Sequence, residues 1–125
     1  MNEKMDQFAQ ELLEKTHANK LDWHPLADPR EPDGFSVALG QGFSFQIRSV
    51  VSGEYRTIAL QLWKDQIPSL ESMVNNRPRA VAVNDVQQLV KRFRLYSDLF
   101  DAVRESVYGG EETMGEVEQL LRRIG

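Results

Sequence analysis

The sequence predicts a single α+β domain over residues 1–125. It has an N-terminal helix, a three- or four-stranded antiparallel β-meander, a long helix packed across the sheet and a short C-terminal helix. Three observations carry this: a gapless helical stripe near the start, three consecutive segments of alternating apolar residues, and a second, much longer helical stripe after them. Strands grouped between helices, with one apolar face per strand, need a helical layer over that face.

In the first segment, Met5, Phe8, Ala9, Leu12, Leu13 and Thr16 recur at i, i+3, i+4, i+7, i+8 and i+11, the spacing of one helix face. Asp6, Gln7, Gln10, Glu11, Glu14 and Lys15 fill the solvated face between them. The helix should fade near His17 to Asn19, with Asn19 suited to the left-handed residue that ends it. Leu21-Asp22-Trp23-His24 alternates and reads as a short strand or extended arm. Pro25, Pro29, Pro32 and Gly34 make residues 25–34 a loop.

The meander follows. Phe35, Val37 and Leu39 alternate with small residues up to the turn Gly40-Gln41-Gly42. Phe43, Phe45 and Ile47 then share one face of a second strand. Ser52-Gly53-Glu54 turns the chain into a third strand, which has Ile58, Leu60 and Leu62 on one face and Tyr55, Thr57, Ala59, Gln61 and Trp63 on the other. Lys64-Asp65-Gln66 reads as a further turn. Residues 69–74 suit either an edge strand or a helical turn, and the edge strand is the favoured reading.

Asn75-Asn76-Arg77-Pro78-Arg79 breaks regular structure, and Ala80 to Val83 suits an extended lead-in. Asn84 or Asp85 would cap the long helix. Its stripe is Val86, Leu89, Val90, Phe93, Tyr96, Phe100, Val103 and Val107, and Gly109-Gly110 ends it. Leu95 and Leu99 fall about a quarter-turn off that stripe and need a second partner. Met114, Val117, Leu120, Leu121 and Ile124 form a tight stripe on the last helix, which could fold back on Leu95 and Leu99 as an αα-hairpin. The alternative is a seam with a second subunit. Phe8, Leu12, Phe43, Phe45, Ile58, Leu60, Phe93 and Phe100 are the expected core.

Leu13-Glu14-Lys15-Thr16, Lys20-Leu21-Asp22-Trp23 and Leu95-Tyr96-Ser97-Asp98-Leu99-Phe100, in that order around a meander, resemble a loose group of small uncharacterised bacterial proteins. Some of these are carried on mobile elements such as integron gene cassettes. The resemblance implies a bacterial origin and a sheet with flanking helices. It supplies no catalytic residue.

Charge is uneven along the chain. Residues 1–40 carry four basic against eight acidic side chains, and residues 98–125 three against seven. Between them, residues 75–97 hold Arg77, Arg79, Lys91, Arg92 and Arg94 against Asp85 alone. This basic segment could meet the acidic ends of the same chain or of a twin, or it could meet nucleic acid. The acidic termini disfavour the nucleic-acid reading, and Lys91, Arg92 and Arg94 lie on different faces of the helix.

The absence of cysteine excludes disulfides, thiolate metal sites and cysteine nucleophiles. No apolar run approaches the ~18 residues of a membrane span, and Met1 to Asp6 contain no apolar stretch of a signal peptide. The cytoplasm is the expected location. Two histidines, with no Gly-x-Ser-x-Gly, give no nucleophile set. No glycine-rich loop opens a helix, as a phosphate cradle requires. His17, Asp22 and His24 could supply two imidazoles and a carboxylate to a metal, but such loose spacing recurs by chance, and Trp23 is the residue this segment has reason to bury. Asp98, Asp101 and Glu105 are spaced as the outer face of a helix rather than as a catalytic pair.

The expectation is therefore a protein-binding or adaptor domain that is not an enzyme, needs no cofactor and forms a homodimer. Tyr55, Trp63, Leu95 and Leu99 are the expected interface residues. A small-molecule pocket between the sheet and the long helix remains an alternative, as does a nucleic-acid accessory role for Arg77 to Arg94.

Overall fold

The computed structural model describes residues 3–26, 33–76, 83–109 and 111–124. The chain runs α1 (Glu3–His17), β1 (His24–Pro25), β2 (Gly34–Gly40), β3 (Phe43–Ser52), β4 (Tyr55–Lys64), β5 (Ile67–Asn75), α2 (Val83–Tyr108) and α3 (Glu111–Ile124). The five strands form one antiparallel sheet in sequence order. The expected α+β fold is present, with the sheet extended at both edges. His24–Pro25 pairs with β2 as a two-residue edge, and residues 69–74 belong to the edge strand β5.

Tight turns set the register. Asp65 and Gln66 both have positive φ (51° and 68°), the geometry of a two-residue turn that matches strand twist. At the β2–β3 turn, Gly42 has φ 82°, and a Cβ there would lie 2.1 Å from the Asp65 carboxylate. Only glycine fits, so the two turns at this end of the sheet sit against each other, joined by Asp65 N–H donating to the Gly42 carbonyl at 2.9 Å.

Pairing stacks the apolar residues in rows on one face. One row is Phe35, Ile47, Leu60 and Ser72, and the next is Val37, Phe45, Leu62 and Leu70. Helices α1 and α2 pack against each other and cover this face. The core contains Met5, Ala9 and Leu12 of α1, Phe35, Val37, Phe45, Ile47, Ile58, Leu60 and Val74 of the sheet, and Tyr96, Leu99, Phe100 and Val103 of α2. Trp23 is buried beside them, and its indole N–H donates to Thr16 Oγ1 at 3.0 Å. Asn19 has φ 58°, the expected left-handed residue after α1.

Three expectations change. Helix α2 begins at Val83, so Asn84 and Asp85 lie inside its first turn and Val83 is not part of an extended lead-in; the rest of that lead-in lies outside the described residues. Leu89 and Val90, assigned to the buried stripe, are exposed. Phe43, expected in the core, is 38% exposed because it sits at the turn end of the sheet.

Candidate interaction surfaces

Helix α3 is the most exposed apolar feature among the described residues. Val117, Leu120, Leu121 and Ile124 are 48%, 57%, 63% and 82% exposed. Their i, i+3, i+4, i+7 spacing aligns them along one side of the helix. The expected hairpin is not formed: among the described residues, α3 has no extensive packing on α2, the sheet or α1. The reason lies in α2. Because α2 packs on both the sheet and α1, its buried arc is wider than a sheet-only stripe, and it takes in Leu99, which is fully buried, and Leu95, which packs on the core. Leu99 is thus a core residue closed to any partner, and Leu95 is half-buried in the same cluster. Leu99 therefore cannot be the interface anchor expected of it.

The outer face of the sheet carries Tyr55 and Trp63, as the alternation requires. The two are eight residues apart on one strand, about 27 Å, so they form separate features rather than one aromatic patch. Tyr55 is 39% exposed, whereas Trp63 is half-buried and donates its indole N–H to Gln61 Oε1 at 3.2 Å. The Gln61 amide in turn donates to Glu71, and Arg48 donates to Gln46 at 3.0 Å. The Gln61–Glu71 pair crosses from β4 to β5, and the other two each run along one strand; such polar pairs let a sheet face stand in water.

An open apolar groove of about 410 Å³ lies on the inner side of the sheet, between α1 and the β2–β3 turn. Phe8, Leu12, Leu21, Leu39, Phe43 and Leu62 contribute its apolar wall, and Glu11 and Lys15 stand on its α1 side. Leu39 is half exposed there. Lys64 caps the Phe43 ring at 4.1 Å and donates to the Gln41 carbonyl. This groove lies beside α1, not between the sheet and the long helix α2, where the expected pocket was placed. Leu21 and Leu39 could not be assigned to it from spacing, because neither lies on a regular apolar stripe shared with α1.

Four polar groups meet where α1, β5 and α2 converge. The Arg92 guanidinium donates to Asp6 Oδ1 at 3.1 Å and to Ser72 Oγ at 2.8 Å, with Asp6 Oδ2 3.0 Å from Nε. The Tyr96 hydroxyl lies 2.8 Å from both Asp6 Oδ1 and Ser72 Oγ. An ionised carboxylate only accepts, so the phenol donates to Asp6. Burial pushes the Tyr96 phenol above its usual pKa. Burial disfavours the Arg92 charge, but hydrogen bonds to Tyr96 and Asp6 and the attraction of the carboxylate outweigh it, and its pKa is raised. Each group is matched within the cluster, which ties three elements together rather than presenting a reactive group.

This cluster alters the basic segment. Arg92 is turned inward to Asp6, so it is not a member of a basic surface, whereas Lys91 and Arg94 are exposed. Arg77 and Arg79 lie outside the described residues. Asp22 and His24 are 3.1 Å apart on the surface, and among the described residues no three metal-ligating side chains converge. No helix among the described residues is long and apolar enough to cross a membrane.

No family model matches the chain, and neither a curated protein nor a solved structure does.

Proposed function

We propose that the protein is a non-enzymatic binding domain that works through protein contacts and associates with a second copy of itself through α3. The observation that carries this reading is the exposed Val117, Leu120, Leu121 and Ile124 stripe, a run of large aliphatic side chains left in water on a helix rich in charge. Such a helix gains from any partner that covers the stripe, and an identical helix is always present at the same concentration. Sedimentation at tens of micromolar should give about twice the 14.4 kDa chain mass, and Leu120→Glu should return the protein to a monomer. A wild-type chain that stays monomeric under these conditions overturns the reading.

The apolar groove supports a second reading, in which the domain holds a small apolar ligand. Its volume suits a compact aliphatic or aromatic molecule. An environment-sensitive apolar dye should bind the wild type and lose affinity in Phe43→Glu without a change in circular dichroism. Equal binding by the variant rejects the groove as the site.

A further inference from the structure

We infer that two copies of the chain pair through α3 in antiparallel orientation, as a short two-helix coiled coil closed by a two-fold axis. The inference rests on the self-association reading and specifies its geometry. With Val117 and Ile124 at positions a of a heptad, Leu120 falls at d and Leu121 at e, a seam of the width a single partner helix covers. Thr113 and Met114 continue the same register one heptad earlier.

Charge selects the direction. Glu116 and Arg123 occupy successive g positions, and g positions of two helices face each other only in an antiparallel pair. There, Glu116 of each copy meets Arg123 of the other, twice by symmetry. A parallel pair would instead set Glu116 beside Leu121 and bring the two Arg122-Arg123 turns together. The wider charge distribution agrees: Glu111, Glu112, Glu116 and Glu118 precede the stripe's end, and Arg122 and Arg123 fill the last turn. Antiparallel packing also opposes the helix dipoles favourably. The contact is isologous, so it closes at two copies and leaves no unsatisfied end.

Two competing occupants are disfavoured by the fold. The inner sheet face under α2 is filled, with Leu99 and Val103 fully buried. The groove lies at the Leu39–Phe43 end of β2, whereas α2 ends with Tyr108 against Phe35 at the opposite end of that strand. A chain leaving α2 therefore starts α3, at Glu111, from the end of the sheet away from that groove.

The cysteine-free chain allows a direct test by disulfide trapping. Glu116→Cys and Arg123→Cys variants, tagged differently in mass, are mixed and oxidised mildly. Antiparallel pairing predicts that the mixed disulfide, joining position 116 of one copy to position 123 of the other, dominates. Two Arg123→Cys copies should fail to cross-link, since that position and its symmetry mate would lie about 10 Å apart along the axis. A dominant Arg123→Cys homodisulfide overturns the antiparallel geometry while leaving self-association intact. A dimer in sedimentation that traps neither pair overturns α3 as the seam. A monomer in sedimentation overturns the parent reading itself. As a second measurement, Arg123→Glu should abolish the dimer at concentrations where the wild type is fully dimeric, and adding Glu116→Arg should restore it. No restoration counts against the charge pairing.

Discussion

Helices α1 and α3 are nearly the same object in sequence and opposite objects in structure. Each is about four turns long, each carries an uninterrupted apolar stripe, and each sets charge on its other side. Yet Met5, Ala9 and Leu12 of α1 are buried against the sheet and α2, while Val117, Leu120, Leu121 and Ile124 of α3 stand in water. Amphipathicity thus says that a helix needs a cover and is silent on where the cover is. The difference is one of supply: the sheet has one apolar face, α1 and α2 share it, and among the described residues α3 has no extensive packing on either. An isolated helix of this length is marginal in water.

The comparison breaks first at the core side. Leu12→Ala in α1 removes a buried side chain from a packed cluster, and a loss of about 2–5 kcal/mol in folding free energy is expected. Leu120→Ala in α3, measured by chemical denaturation at a dilution where the chain is monomeric, should shift stability by under about 0.5 kcal/mol, as for other surface positions. Equal costs at the two positions would mean that α3 is packed on its own domain. Hydrogen exchange sharpens the same point: α3 amides should exchange fast when dilute and gain protection as concentration rises, while α1 amides stay protected throughout.

The next effect in size comes from the Asp6 cluster, the polar part of α1's anchorage. Asp6→Ala leaves the half-buried Arg92 guanidinium and the Tyr96 hydroxyl short of their shared acceptor, at an expected cost of about 1–3 kcal/mol. Asp6→Asn keeps an oxygen acceptor and should cost less. Both are read as midpoint shifts in denaturant.

The contrast between the two helices also marks how far the sequence could be read. The stripe on α1, the alternation of Phe35 to Leu62 and the length of α2 follow from residue spacing, because each is a local period imposed by backbone geometry, whereas by spacing residues 69–74 suit either a strand, the favoured reading, or a helical turn. What spacing could not supply is the set of neighbours around each element. Leu99 looks orphaned against a single stripe, yet it is buried once α2 has two neighbours. Phe43 has the right parity for the core but lies at the turn end of the sheet, where α1 leaves a groove. Arg92 reads as part of a basic run, and its partner Asp6 stands 86 residues away in what spacing assigns to a solvated face. The α3 stripe is legible as a stripe; the exposure of its Val117, Leu120, Leu121 and Ile124 is not.

Alkaline pH probes the Asp6 cluster through Tyr96. Burial raises the phenol's pKa in the folded chain, so above pH ~10 the unfolded chain releases its phenol proton while the folded chain retains it. Fewer protons on the unfolded side mean that stability falls as pH rises past that point. It is fully present below it. In Tyr96→Phe this part of the decline should vanish, leaving a flatter profile above pH ~10 and a lower plateau at neutral pH from the lost hydrogen bond. Urea midpoints across that range check it, and an unchanged alkaline slope in Tyr96→Phe would remove the phenol as its source.

The smallest expected effect tests whether charge alone, without burial, holds a helix to this sheet. Arg56 of β4 reaches α2 in two ways: its guanidinium carbon lies 4.9 Å from the centre of the Phe100 ring, and it stands 3.6 Å from Asp101. Asp101 is mostly exposed, so water screens that attraction, and Asp101→Asn should change stability by at most a few tenths of a kcal/mol. Arg56→Leu also removes the contact over the Phe100 face and the hydrogen bond to Ser49 at 2.8 Å, for which about 1 kcal/mol is expected. The order matters more than either figure. If Asp101→Asn cost as much as Arg56→Leu, surface charge would be holding α2 in place, and Arg122 and Arg123 would then be expected to anchor α3 to its own domain in the same way. A small Asp101 effect beside a larger Arg56 effect says that α2 is held by what it buries, as α1 is, whereas the Val117, Leu120, Leu121 and Ile124 stripe of α3 is exposed.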